Sequence, residues 1–169
     1  MAQPASDYVR RILSYSQGKD PLRLLQSTPK KLAALIKGKN PKELKRKPAP
    51  GKWSVAEIMA HLADSEIAIS WRLRQVLSTK GAPLQGYDQD AWASTFGYAR
   101  RDPKRSHESF QLLRENNLAI LKGVPRKLWS NHGMHQELGK LTAENIVRLV
   151  AGHDVNHLLQ IEEILKRKR

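Results

Sequence analysis

Apolar residues recur at spacings of three and four along most of this chain, which is the pattern of amphipathic α-helices. The sequence shows no sustained alternation of apolar and polar residues and contains no Asn-Gly or Asp-Gly hairpin turn. The pattern therefore predicts an all-α fold with four long helices and short additional helices near the N-terminus. The long helices are predicted at about 28–38, 54–77, 106–122 and 142–166, and the short ones at about 6–17 and 21–25.

Capping residues mark where the long helices begin. Ser54 and Glu57 have the capping-box spacing ahead of an apolar run. Ser106 and Thr142 are the predicted N-caps of the last two helices. Thr28 followed by a proline has the pattern of an N-cap and first helical residue, so a separate helix is predicted to start there.

Two long segments between the helices have the composition of connections. Residues 38–52 are basic and proline-rich, and residues 78–105 contain several glycines and prolines with one predicted short helix at about 88–93. Connections as long as 78–105 are uncommon in compact domains and are often functional. The length of this segment therefore favours a functional role for it.

A chain of 169 residues predicts a single domain with a substantial core. We assign residues 28–166 to the core of the bundle and residues 1–20 to an N-terminal extension. No apolar run approaches the roughly 18 residues of a membrane span, and residues 1–20 lack the apolar segment of a secretory signal. Cysteine is absent, so we expect a cytoplasmic protein whose metal ligands are limited to His, Asp and Glu.

The chain is strongly basic, with 30 Lys and Arg against 16 Asp and Glu and a formal net charge of +14. The positive residues cluster at 37–52, 100–105 and 166–169, which suits a nucleic acid or another anionic partner. The 37–52 cluster contains no aromatic residue, whereas grooves for single strands interleave aromatics with cations. A solvated basic face explains the same charges, so nucleic-acid binding is supported by the charge pattern alone.

Three histidines fall on the apolar stripes of two predicted helices: His61 on one, and His153 and His157 on the last. The last two are one turn apart, so their imidazoles are neighbours on one helix face. With an imidazole from a facing helix they can hold a metal ion and leave positions open for water or substrate, as catalytic sites do. A hydrogen-bonded polar core is the alternative, and it needs buried partners for every ring nitrogen. The spacing leaves both interpretations open.

Two polar residues near the histidines are candidate catalytic residues. Asp64 follows His61 by three positions on nearly the same helix face, and Gln160 is one turn beyond His157. A carboxylate there can orient an imidazole or act as a general base, and an amide can bind a ligand. We therefore assign Asp64 and Gln160 tentative catalytic roles.

The neighbours of His153 and a second histidine pair are interpreted differently. Asp154 is predicted to be an exposed ion-pairing residue, because adjacent helical positions do not face each other. Gly152 costs about 1 kcal/mol of helix stability relative to Ala, which indicates close approach of another helix or space beside His153. His132 and His135 have no helical spacing, so His135 is a candidate for the mouth of the site rather than for a metal ligand.

These segments also resemble a known family. The resemblance to the DinB/YfiT-like family covers about residues 20–165. It is carried by Gly51–Ser54, Glu57, His61–Asp64, Glu66, Asp88–Trp92, Gly133–His135, Ala151–His157 and Gln160–Ile161.

The resemblance implies a four-helix bundle with up-down-down-up connections, often as a homodimer. It also implies a divalent metal, commonly nickel or zinc, on a triad that matches His61, His153 and His157. Some members of this family are S-transferases that use bacillithiol, mycothiol or glutathione, so a low-molecular-weight thiol is an implied cosubstrate. We expect a metal-dependent enzyme for a small-molecule substrate, of the thiol S-transferase or hydrolase type. The alternative is a basic nucleic-acid or anion binding module with a structural metal site.

Overall fold

The computed structural model describes residues 5–167, which form seven α-helices and one three-stranded sheet. The helices are α1 (Ala5–Ser16), α2 (Pro21–Ile36), α3 (Pro41–Lys45), α4 (Val55–Ser78), α5 (Gln89–Thr95), α6 (Pro103–Gly123) and α7 (Ala143–Lys166). The strands are β1 (Ala82–Leu84), β2 (His132–His135) and β3 (Gly139–Thr142). Within residues 5–167 no helix combines the length and apolar character needed to cross a membrane.

Helices α2, α4, α6 and α7 form a four-helix bundle around two clusters of buried apolar side chains. One cluster joins Leu25 of α2 to the C-terminal halves of α4 and α6 and the N-terminal half of α7. The other joins Leu32 of α2 to the N-terminal halves of α4 and α6 and the C-terminal half of α7. Helices α4 and α6 therefore run parallel to each other and antiparallel to α2 and α7. This is the up-down-down-up order, and the predicted helical bundle is confirmed.

The predicted caps of α4 and α7 are confirmed. The Ser54 hydroxyl accepts a hydrogen bond from the Glu57 amide at 3.2 Å, and the Glu57 carboxylate accepts one from the Ser54 amide at 2.7 Å. Thr142 and Asn145 form the same reciprocal arrangement at the start of α7. Both helices that carry the histidines therefore begin where the sequence predicts, which fixes the register of each histidine along the bundle.

Helix α6 begins earlier than predicted. Its N-cap is Asp102, whose carboxylate accepts a hydrogen bond from the Arg105 amide at 2.9 Å, and Pro103 is the first helical residue. Ser106 therefore lies inside the first turn. An Asp-Pro pair is as good a helix start as a serine, and the structure uses the one that comes first.

The predicted helix start at Thr28–Pro29 is wrong, because α2 runs unbroken from Pro21 to Ile36 with Pro29 in its interior. Proline lacks the N–H that would bond to the carbonyl of Leu25. That carbonyl instead accepts a hydrogen bond at 3.1 Å from the guanidinium of Arg114, on α6. A contact between helices thus supplies the donor that the helix itself lacks, and the first bundle helix begins at residue 21 rather than 28.

A small sheet, absent from the sequence prediction, lies where α4 and α6 end and α7 begins. Strand β1 pairs in parallel with β2, and β2 pairs antiparallel with β3. Each strand has only three or four residues, too few to show an alternating pattern. Glycine is required at position 133, where β2 pairs with β1, because a Cβ there would lie 2.7 Å from the Ala82 carbonyl oxygen.

The connections contain short helices. Helix α5 confirms the short helix predicted at about 88–93, with Asp88 as its N-cap. Helix α3 lies in the 38–52 segment, where no helix was predicted. Because α4 and α6 are parallel, residues 79–102 return along the whole bundle, and they pass over the N-terminal half of α4.

Helix α1 packs against α7 at Gly152. Ile12 of α1 is fully buried, with 1% of its surface exposed. A Cβ on Gly152 would lie 2.0 Å from the Ile12 carbonyl oxygen, so the two backbones touch at this glycine. Of the two interpretations of Gly152, close approach by a helix is confirmed, and the N-terminal extension is part of the packed structure from residue 5 onward.

Replacing Gly152 with alanine is expected to destabilise the protein by about 1–3 kcal/mol, because the methyl group overlaps backbone that cannot move alone. The gain in helix propensity, about 1 kcal/mol, acts in the opposite direction. Urea unfolding at equilibrium measures the difference. Gly123→Ala is the matched control, since a Cβ there meets nothing within 4 Å. Equal stability of the two variants would contradict the contact.

Candidate metal centre

The fold brings the three predicted histidines together between α4 and α7. The His153 Nε2 atom lies 3.0 Å from the Nε2 of His61 and 3.1 Å from the Nε2 of His157. The ligand atoms of all three lie within 4.8 Å of one another. Three imidazole nitrogens from two antiparallel helices therefore converge on one point.

The electrostatic environment keeps the three imidazoles neutral. Burial, reinforced by the charge of His157, lowers the pKa of His61 to about 3. Burial also lowers the pKa of His157 to about 4, against the opposing effect of its hydrogen bond to Gln160, and lowers the pKa of His153 well below its ordinary value. A neutral imidazole has a free lone pair, which is the form that binds metal ions.

The donor set fits a divalent metal ion. Neutral imidazole nitrogens that face one another at about 3 Å repel unless a proton or a cation lies between them. Zinc binds imidazole nitrogen at about 2.0–2.1 Å in tetrahedral geometry, which puts neighbouring nitrogens a little over 3 Å apart. The separations of 3.0 and 3.1 Å among the Nε2 atoms are close to that spacing.

Gln160 fixes the tautomer of His157. The Nδ1–H of His157 donates to the Gln160 side-chain oxygen at 3.0 Å, which leaves the lone pair on Nε2, pointing at the other two histidines. Outer hydrogen bonds of this kind orient metal ligands and raise their basicity. The structure thus places Gln160 behind a histidine of the triad. A direct catalytic role for Gln160 stays a prediction.

Replacing Gln160 with leucine is expected to weaken metal affinity roughly 10–100-fold, because the His157 ring loses the acceptor that holds it. Competition with a chromogenic chelator measures the dissociation constant. Gln111→Leu serves as the control, since Gln111 is exposed and bonds Glu115 on the outer face of α6. An unchanged affinity in Gln160→Leu would remove Gln160 from the site.

His61 is held by packing as well as by hydrogen bonding. Its ring lies 5.0 Å from the ring of Trp53, centroid to centroid, and its exposed fraction is 1%. The Ser65 hydroxyl lies 3.4 Å from its Nε2 atom. Within residues 5–167 its Nδ1 atom is buried without a hydrogen-bond partner, which is unusual for a core residue. The far side of the ring is therefore held by packing against Trp53 rather than by a hydrogen bond.

Asp64, the second candidate catalytic residue, is held by residues 79–102, the crossover that connects α4 to α6. Its carboxylate forms a 2.6 Å ion pair with Arg101 and, after burial itself, is the main cause of a raised pKa of Tyr98. Within residues 5–167 it makes no hydrogen bond to a histidine of the triad. Its catalytic role stays a prediction, and the ion pair accounts for its burial.

The prediction that Asp154 is exposed is wrong. Asp154 is 1% exposed and pairs with Arg114 at 2.5 Å, and Arg114 also pairs with Glu66 at 2.7 Å. Asn117 donates a further hydrogen bond to Glu66 at 2.9 Å. The buried ionic network of these four residues ties α4, α6 and α7 together next to the triad. The apolar patterns of α4 and α7 do not indicate this network, because the cation that pairs with both carboxylates, Arg114, lies on a third helix, α6.

The second histidine pair contributes no metal ligand to any cluster found in the described part of the chain. The Nδ1 atom of His135 accepts hydrogen bonds from the amides of Glu137 and Leu138, which stabilise the turn between β2 and β3. In the described part of the chain His135 is not among the residues that line the cavity described next, so its predicted place at the mouth of the site is not supported.

A cavity of about 240 Å³ opens beside the triad, with His153 in its wall. Helices α4, α7 and α1, the β2–β3 turn and the crossover form its sides. Most of the lining is apolar: Val9, Ile12, Ile69, Leu138, Leu141, Ile146, Leu149 and Val150. Five polar residues that sequence analysis did not assign to the site also line it, namely Tyr8, Ser65, Arg72, Tyr87 and Glu137.

The histidine spacing contains a signal for two of these residues. Ser65 and Arg72 follow His61 by four and eleven positions, so all three share one face of α4. Tyr87 has no such signal, because it reaches the site through the crossover. Its hydroxyl lies 2.9 Å from the Ser65 hydroxyl.

Comparison with known proteins gives a consistent family. A family model of the DinB superfamily matches residues 24–161. The chain is 24% identical over 169 residues to YfiT of Bacillus subtilis, named a putative metal-dependent hydrolase, with 99% of this chain and 95% of that protein covered. It is 23% identical over 144 residues to OB0782 of Oceanobacillus iheyensis, which has the same kind of name, with 85% and 83% covered.

Solved structures share the fold. YfiT from Bacillus subtilis, described as having an unusual four-helix bundle topology, aligns with a TM-score of 0.80 at 23% identity over 90% of this chain and 95% of that one. A mycothiol-dependent maleylpyruvate isomerase aligns with a TM-score of 0.68 at 11% identity over 83% of this chain and 59% of that one. The family match spans most of the sequence and includes all three histidines, and the chain therefore belongs to the DinB superfamily.

Proposed function

We propose that this protein is a metal-dependent hydrolase of small molecules that carry an apolar group. The observation that carries the proposal is the convergence of three neutral imidazole nitrogens at the edge of a largely apolar cavity. The names of the sequence relatives, which are metal-dependent hydrolases, support the same reaction class.

In this proposal His61, His153 and His157 hold a divalent ion, which we expect to be zinc or nickel. Such an ion supplies Lewis acidity and lowers the pKa of water into the neutral range. His153 is the ligand that faces the cavity, so a substrate that enters the cavity meets the triad from that side.

The cavity provides the remaining groups that hydrolysis needs. Burial raises the pKa of Tyr87, against the opposing hydrogen bond from Ser65, so the phenol stays protonated at neutral pH. Its hydroxyl is therefore a hydrogen-bond donor for a substrate carbonyl oxygen near the triad. The apolar residues around it bind the organic part of the substrate and exclude bulk water from the reacting bond.

Thiol transfer is the second candidate. The chain has no cysteine, so the thiol would be a low-molecular-weight cosubstrate that enters the same cavity and loses its proton beside the triad. The fold shared with an enzyme that is named as mycothiol-dependent supports the cosubstrate class.

The test compares both reactions in one set of samples. Protein loaded with zinc or nickel is given p-nitrophenyl esters of increasing acyl length, and separately an electrophilic dye with bacillithiol, mycothiol or glutathione. The hydrolase proposal predicts ester cleavage that His153→Ala abolishes, with no requirement for thiol. Dye conjugation that depends on thiol and on His153, without ester cleavage, would replace it by thiol transfer. Loss of neither activity in His153→Ala would exclude the triad from both.

Binding of nucleic acid through the basic surface is the alternative function. In the 37–52 segment, Lys47 pairs with Glu57 at 3.1 Å and Lys45 donates to the Arg100 carbonyl at 3.3 Å, so part of this charge is used within the chain. Nucleic-acid binding predicts a steep fall of affinity with salt. Its absence at low salt would leave a solvated basic face.

Two exposed apolar residues on α4 form a candidate surface for the expected homodimer. Ile67 and Trp71, one turn apart on α4, expose 54% and 64% of their surface. Sedimentation of the wild type beside Trp71→Lys tests whether this face associates, and a wild type that sediments as a monomer would contradict the dimer.

A further inference from the structure

We propose that Arg72 makes the cavity selective for substrates that end in a carboxylate at the far end of an apolar body. The inference rests on the proposed function, because it names the substrate class of that site. The reacting bond would lie at the triad, and the carboxylate would pair with the guanidinium at the other end of the cavity.

The cavity is a groove between two antiparallel helices, with the triad at one end. On α4 the residues that line it are Ser65, Ile69 and Arg72, and Ser65 lies beside His61. On α7 the lining residues run from His153 back to Ile146. At 1.5 Å per helical residue, Arg72 begins roughly 10 Å along α4 from Ser65. The backbone positions that line the two ends of the groove on α4 are therefore separated by about the length of a small elongated molecule.

A continuous wall connects the two ends. The Ser65 hydroxyl lies 3.4 Å from the Nε2 of His61 and 2.9 Å from the Tyr87 hydroxyl. The guanidinium carbon of Arg72 lies 5.7 Å from the centre of the Tyr87 ring. Tyr87 thus has its hydroxyl at the triad end and its ring against Arg72, and a ligand that lies along this ring reaches both.

Arg72 has unused hydrogen-bonding capacity. A guanidinium has five N–H donors, and the described residues supply Arg72 with one acceptor, the Gln85 carbonyl. Two titratable residues lie near it on the β2–β3 turn side. Glu137 is exposed and forms no ion pair with Arg72 within 4.0 Å in the described chain, and His135 is turned toward the backbone of its own hairpin.

The lining favours a carboxylate over a more highly charged group. Among the described residues of the wall, Arg72 is the only cation and the exposed Glu137 is the only anion, and most of the other lining residues are apolar. A single planar guanidinium matches a carboxylate with two parallel hydrogen bonds. The low-polarity surroundings strengthen that ion pair relative to one on the open surface.

The test uses two ligands that differ at one end only, where monomethyl suberate has a carboxylate and dimethyl suberate has its methyl ester. Calorimetry measures the dissociation constant of each for the zinc-loaded protein. We expect the monoacid to bind the wild type about tenfold more tightly than the diester, the size of a charge-assisted hydrogen bond. Arg72→Gln should bring the ratio close to one and leave the affinity for the diester unchanged.

Two further variants separate recognition from structure. Arg72→Lys retains a point charge without the planar fork and should keep part of the preference. Arg74→Gln removes a neighbouring arginine that bonds Ser70 and Asn117 outside the cavity, and it should keep all of it. A purely structural Arg72 would shift the affinities of both ligands equally, and unfolding temperatures identify any variant that is not folded.

The outcomes also separate this inference from the proposed function. A preference for the monoacid that survives in Arg72→Gln places the carboxylate elsewhere, for example at the triad, and overturns the inference. Failure of the wild type to bind either ligand also overturns it. If the monoacid binds through Arg72 but neither compound is hydrolysed, the proposed reaction fails while the assignment of Arg72 stands.

Discussion

Replacing Arg114 with methionine is expected to lower the free energy of unfolding by about 3–5 kcal/mol. Arg114 is 2% exposed and lies between two carboxylates that are each 1% exposed, those of Glu66 and Asp154. Burial acts to lower the pKa of Arg114, but the two carboxylates outweigh burial and raise it above its ordinary value. The guanidinium is therefore charged, and methionine would leave two buried carboxylates without their cation.

The substitution removes a second contact at the same time. Arg114 donates to the Leu25 carbonyl, which has no partner in its own helix because Pro29 lacks an N–H. An unsatisfied buried carbonyl adds a cost of its own. The loss of unfolding free energy should therefore exceed the loss that a cavity of the same size would cause.

Urea unfolding at neutral pH measures the loss, and Arg148→Met is the matched control. Arg148 forms a half-exposed pair with Glu144 on α7, and such pairs contribute roughly 0–1 kcal/mol. Similar stabilities for the two variants would mean that the buried ionic network contributes no more than an exposed pair.

Much of the fold follows from local sequence signals. The capping boxes at Ser54 and Thr142 fix the starts of α4 and α7, and apolar periodicity places His61, His153 and His157 on the inner faces of those helices. Residues three or four positions apart on a helix share a face. The sequence alone therefore predicts that the three histidines face the interior of the bundle, before the packing of the helices is known. The structure brings them within ligand distance of one another.

The errors arise where a partner distant in sequence decides the outcome. The local sequence predicts a helix start at Pro29, because it does not show that Arg114 supplies the hydrogen-bond donor that the proline lacks. Asp154 was predicted to be exposed because α7 itself offers no buried cation to pair with it. The cation comes from α6. Strand β1 is held by pairing with β2, about fifty positions away in the sequence, and no window of local sequence contains both partners.

The cavity residues show the same limit within the candidate site. Arg72 shares a helix face with His61, but nothing in α4 indicates that the groove beside it stays open. Tyr87 lies in a segment that local sequence describes only as a long connection. The parallel arrangement of α4 and α6 forces this segment back over the triad, so its role depends on the topology of the whole bundle.

Replacing His153 with alanine is expected to remove nearly all bound metal. In the proposed site His153 would be the central ligand, since its Nε2 atom lies 3.0 and 3.1 Å from those of the other two histidines. Two imidazoles from different helices would remain, without the pair at one-turn spacing that we propose as metal ligands on α7. His132→Ala is the matched control, because His132 lies in β2 and belongs to no metal cluster in the described residues.

Elemental mass spectrometry of the purified wild type, His153→Ala and His132→Ala measures this directly. The proteins should be purified without a nickel column and then equilibrated with zinc or nickel. The triad predicts roughly one divalent ion per chain in the wild type and in His132→Ala, and almost none in His153→Ala. A wild type without metal after equilibration, or equal metal in all three proteins, would contradict a metal centre at His61, His153 and His157.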